Sequence, residues 1–192
     1  LEDGTFTRVG GTQELRVRGE AGPVLDSKPT ETPFHGTLSF NQVGIDGLTK
    51  FLGTGMLTKA EGVLSGETQI TAQSGNIAAA GNLKLDRGRF NSVDIGYPIT
   101  LDYSVETKGA EGLVTIKSAK LQLGPTPLSI AGSLNTASTP QSVNLKIASG
   151  DVSIAEIARL ASAFGVAFAP GTSVKGRLGA DVQVRGSVAN PA

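Results

Sequence analysis

The chain has 192 residues, with 17 Lys+Arg against 17 Asp+Glu and a formal net charge of zero, which argues against a dedicated nucleic-acid binder because that function needs a basic excess. With no Cys and one His, it excludes thiol catalysis, Cys-based metal sites, disulfide staples and any Ser/His pair not built on His35. Gly supplies 26 residues, about twice the roughly 7% of average usage, while aromatics make up 5% and Trp is absent.

The length suits one domain of ordinary size or a piece of a repeating one, with enough chain to bury a sizeable core. No window approaches the 18 or so consecutive apolar residues of a membrane-spanning helix, since the softest stretch, 160–169, is broken by Ser162 and Gly165. The chain opens on Leu1 with no charged-then-apolar leader, so it reads as a fragment whose anchor or signal lies elsewhere.

In chain order, residues 20–33 hold Gly22, Pro23, Pro29 and Pro33 with little periodicity, which predicts a loop or an irregular edge. A short helix is expected over 45–52, where Ile45, Leu48 and Leu52 share a face and Gly53 stops the run. Period-2 alternation then dominates, so the fold is expected to be mainly β. The clearest rows are Leu101, Tyr103 and Val105; Val114 and Ile116; Leu121 and Leu123; Leu128 and Ile130; and Leu145 and Ile147. Between Ile116 and Leu121 the alternation changes phase at Ser118 and Ala119, which predicts a bulge or tight turn, with Lys117, Lys120 and Gln122 turned to solvent. Residues 135–141 read as a turn. Helical spacing returns over 152–165, where Ser153 and Glu156 form a capping box and Ile154, Ile157, Ala158, Ala161 and Phe164 share a face. A last strand is expected through Leu178, Ala180, Val182 and Val184.

Two echoes suggest an internal repeat. Val43-Gly-Ile-Asp-Gly-Leu aligns with Val152-Ser-Ile-Ala-Glu-Ile at an offset of 152 − 43 = 109 residues, and Leu1-Glu-Asp-Gly-Thr-Phe with Leu85-Asp-Arg-Gly-Arg-Phe at an offset of 85 − 1 = 84. The difference of 25 residues is two strands and their turn, so the approximate copies 1–84 and 85–192 would differ by one hairpin, with the second running off the C-terminal end. Such units bury their apolar faces by stacking on one another.

The motif L-x-x-G-x-F from Leu85 to Phe90 is followed by Gly96-Tyr-Pro-Ile-Thr-Leu-Asp-Tyr and Val114-Thr-Ile. Then come Leu121-Gln-Leu-Gly-Pro-Thr-Pro-Leu-Ser-Ile-Ala-Gly-Ser-Leu-Asn and Asp151-Val-Ser-Ile-Ala-Glu. In this order they resemble the AsmA-like family, most closely its C-terminal β-rich region, over about residues 34–192. The resemblance implies an elongated, strongly curved antiparallel sheet, a repeating β-groove related to lipid-transfer bridges, carrying one or two short amphipathic helices. It further implies a periplasmic, non-enzymatic segment of a parent protein anchored in the inner membrane, serving phospholipid transport and outer-membrane homeostasis. The expected partners are phospholipid acyl chains, a membrane reached through segments outside this sequence, and other envelope proteins. No nucleic acid, cofactor or metal is expected, and no catalytic residue carries over.

Other candidate residues are more simply explained. His35 has no second His nearby in the sequence. Asp86, Asp94, Asp102 and Glu106 suit solvated turns and strand exteriors better than a carboxylate pair. Gly53, Gly55 and Lys59 follow the expected helix rather than precede it, unlike a phosphate loop. The apolar rows are the open question: on the residues alone, two such faces packed together as a sandwich are the plainer reading, and the resemblance favours a groove. In the groove, Leu101, Tyr103, Val105, Val114, Ile116, Leu121, Leu123, Leu128, Ile130, Leu145 and Ile147 face lipid. The alternative is a structural or adhesive β-repeat module of the envelope, with a dry core and loops that bind protein or glycan.

Overall fold

The computed structural model describes residues 3–7, 13–23, 31–45, 60–90, 93–155, 176–187 and 190–191. They form β1 (Asp3–Thr7), β2 (Glu14–Ala21), β3 (Phe34–Gly44), β4 (Ala60–Gln73), β5 (Asn76–Phe90), β6 (Val93–Asp94), β7 (Ile99–Lys108), β8 (Leu113–Leu123), β9 (Thr126–Asn135), β10 (Ser142–Ser153), β11 (Arg177–Ser187) and β12 (Asn190–Pro191). All belong to one open antiparallel sheet whose spatial order follows the sequence from β1 to β12, with β6 branching from β5. A 3-10 turn, Gly109–Glu111, joins β7 to β8.

Cross-strand register sorts the side chains onto two unlike faces, because directly paired residues point the same way. One row runs Val17–Leu38–Thr68–Gly81–Tyr103–Ala119–Ile130–Ile147–Val182. Beside it run Leu15–Phe40–Gly66–Leu83–Leu101–Leu121–Leu128 and Gly36–Ile70–Ala79–Val105–Ile116–Gly132–Leu145–Val184. The opposite face carries rows such as Arg16–Ser39–Glu67–Asn82–Asp102–Lys120–Ser129–Ala148–Asp181. Period-2 alternation has therefore produced an apolar and a polar side.

Bulges keep these faces intact along strands too long to remain in phase. In β8 the register shifts between Ile116 and Ala119, as the sequence predicts, with Lys117 and Ser118 both exposed. In β3 it shifts between Phe40 and Val43, and in β10 between Ser149 and Val152. Each bulge advances the apolar position by three residues instead of two. The last two begin 149 − 40 = 109 residues apart. Two glycines on the apolar face also bend the backbone: Gly66 (φ 135°) and Gly132 (φ 141°) adopt values that L side chains avoid. A Cβ at either would lie 2.2 Å or 2.1 Å from a carbonyl of the next strand.

The expected helices are not borne out. No helix of seven or more residues lies among the described residues. Val152 and Ser153 belong to β10 and pair with Leu178 and Arg177, because the ladder resumes after the bulge. Ile45, Ile154 and Ala155 are helical at the limits of the described residues, and the rest of 45–52 and of 152–165, Glu156 included, lies outside them.

Nor does a sizeable core form among the described residues. Among the described residues only Ile45, Ala60, Ile95, Leu123 and Val152 are buried hydrophobics. The accessible surface is 12245 Å², against roughly 8,600 Å² for a compact monomer of 19.6 kDa. The described strands form a single layer, so among the described residues neither face has a second layer to bury it.

Candidate functional site

Neutral charge and two-faced strands leave the apolar side of the sheet as the candidate site. The eleven residues singled out in the sequence all lie on that side, distributed over β7, β8, β9 and β10. Leu123 is buried at 5% exposure, and the other ten are half-buried. In a sandwich, opposed rows seal one another and leave little accessible area. Here, among the described residues, the rows touch their lateral neighbours and no second sheet opposes them.

The same face continues into β2, β3, β4 and β5 through Leu15, Val17, Leu38, Phe40, Leu64, Ile70, Leu83 and Leu85, none of them foreseen from sequence. The alternation was present there, but Gly36, Gly66 and Gly81 occupy inward positions and interrupt its apolar half. Reading an inward Gly as a neutral position would have recovered it.

Polar residues are sorted to the other side. Lys120 and Lys146 are exposed, and Lys146 pairs with Asp181 at 3.2 Å. Lys117 pairs with Glu106. Gln122 is half-buried and donates through Nε2 to the Gly124 carbonyl at 2.6 Å.

The remaining candidates stay separate. His35 Nδ1 lies 3.1 Å from Thr71 Oγ1 on the polar face. Asp86 pairs with Lys84 at 3.0 Å, and Asp94 Oδ1 accepts the Gly96 N–H at 2.7 Å. Asp102 stands opposite Lys120. No group of three or more His, Asp or Glu that could hold a metal occurs among the described residues. Gly53, Gly55 and Lys59 lie outside them. No described helix is long and apolar enough to cross a membrane.

Chemically, such a face offers area without direction. Each methylene removed from water contributes about 0.8 kcal/mol regardless of orientation, so the surface suits flexible hydrocarbon. Comparison of the chain with protein-family models, with curated proteins and with solved structures returns no match.

Proposed function

We propose that this sheet is a segment of an AsmA-like β-groove, a non-enzymatic part of a cell-envelope protein that shields phospholipid acyl chains during transport and maintains the outer membrane. One observation carries the reading: a continuous apolar face, from β2 to β11, whose rows stay half-exposed in a single layer. Bulges and inward glycines are the devices that curve a sheet, and their presence in β3, β4, β8, β9 and β10 supports a strongly curved trough. The matching offset of the bulges in β3 and β10 supports two approximate copies, 1–84 and 85–192. The resemblance in the sequence supplies the setting, with the segment in the periplasm and its parent anchored in the inner membrane.

The test uses facing as its own control. A photoreactive amino acid at Leu121 or Ile147, in the parent protein in cells, is expected to crosslink phospholipid. The same probe at Gln122 or Lys146 is expected to capture none, because adjacent strand positions face opposite ways. Absence of lipid at both inward positions overturns the groove and leaves the structural or adhesive module in its place.

A further inference from the structure

The row that runs from Val17 to Val182 carries two hydroxyls near its middle. Thr68 Oγ1 and Tyr103 Oη lie 2.8 Å apart. They come from β4 and β7, with β5 between them, and both residues pair with Gly81 of β5. The tyrosine thus reaches across β5 at a row position that bears no side chain. A Cβ at Gly81 would lie 2.1 Å from the Glu67 carbonyl oxygen and 2.8 Å from Thr68 Cα, so the close approach of β4 and β5 requires glycine. On its other side Tyr103 pairs with Ala119, and its neighbour Val105 pairs with Ala79. The ring therefore stands between Gly81 and Ala119 in its own row, with Ala79 in the adjoining one.

Two hydroxyls carry two protons, and the contact between them uses one. Thr68 is 5% exposed, whereas Tyr103 is half-buried at the open surface. Either hydroxyl can donate in this contact, and in the arrangement where Thr68 donates the Tyr103 proton is left for another acceptor. Water satisfies it on a bare sheet. Under hydrocarbon it has no water, and an unmet donor in an apolar setting draws an acceptor.

We propose that Tyr103, positioned by Thr68, donates a hydrogen bond to an ester carbonyl of a bound diacyl lipid, setting the glycerol-ester region over Gly81 and Ala119 with the chains along the flanking rows. This rests on the groove reading, and the test separates the two. The chain is equilibrated with vesicles holding equal amounts of a diacyl phosphatidylethanolamine and its dialkyl ether analogue, which lacks the carbonyls. The lipid retained after vesicle removal is then quantified by mass spectrometry.

The wild-type chain is expected to retain ester over ether lipid by about three- to tenfold, the range of one net hydrogen bond. Tyr103→Phe brings that ratio to one, and Thr68→Val lowers it by releasing the ring. Lipid retained at a ratio of one by the wild-type chain overturns the ester contact and leaves the groove standing. A preference unchanged in Tyr103→Phe also overturns it, because the selectivity then arises elsewhere. Equal losses of ester and ether lipid in Tyr103→Phe mark a phosphate as the acceptor and overturn the ester assignment. If the wild-type chain retains no lipid, the groove reading falls and the contact with it.

Discussion

At one end of the strands, β4 turns into β5 through Ser74 and Gly75, and β7 into β8 through a 3-10 turn. There the apolar face is uncovered, with Ile77 46% exposed. At the other end lie Leu123 at 5%, Val152 at 2% and Ile95 at 1%, with Ile95 held by a hydrogen bond from its N–H to the Gly88 carbonyl at 3.0 Å. The same strands thus have a small sealed core at one end and an open surface over the rest. Tight packing and accessible apolar area lie at different ends of one layer.

Substitutions at the sealed end are expected to cost most. Ile95→Ala removes a fully enclosed side chain and should lower unfolding free energy by about 2–5 kcal/mol, measured by urea denaturation. A loss under about 1 kcal/mol would mean that this end is no core. Next comes Gly132→Ala, which forces a Cβ against the Asn144 carbonyl at φ 141°. It should cost more than about 1 kcal/mol, read as a lowered Tm. An unchanged Tm would remove glycine strain as a source of the sheet's shape. The smallest effect belongs to the open end, where Ile77→Ser should change stability by no more than about 0.5 kcal/mol. A cost comparable to that of Ile95→Ala would show that something covers Ile77 and would erase the distinction between the ends.

The strands from β7 to β11 were legible because their inward positions are Leu, Ile and Val with polar residues between. The β8 bulge was equally readable, since two consecutive polar residues, Lys117 and Ser118, separate Ile116 from Ala119. Whether the rows were covered was not readable. Alternation records that one side of a strand avoids water, and a second sheet, hydrocarbon or nothing above it leaves the same pattern. The β10 bulge was missed because Gly150 and the residues after it continue into a spacing shared by a helical turn. Pairing of Val152 with Leu178 decides for strand there. Tyr103 was placed on the correct face, but its contact with Thr68 depends on register across β5, which no local pattern encodes.

The strictly sequential order of the strands also bears on how the molecule comes into being. Each long strand is hydrogen-bonded to its neighbours in sequence, and the branching β6 pairs only with the strand it follows. Loop closure is then a local cost at each step, and no pairing waits for distant chain. Ordering can begin at whichever hairpin forms first, such as β4–β5 or β8–β9, and spread outward one strand at a time, as in linear repeat proteins. Amide exchange should accordingly show protection graded from the middle strands to the outer ones. A chain released progressively from one end could acquire its structure in the order of its release.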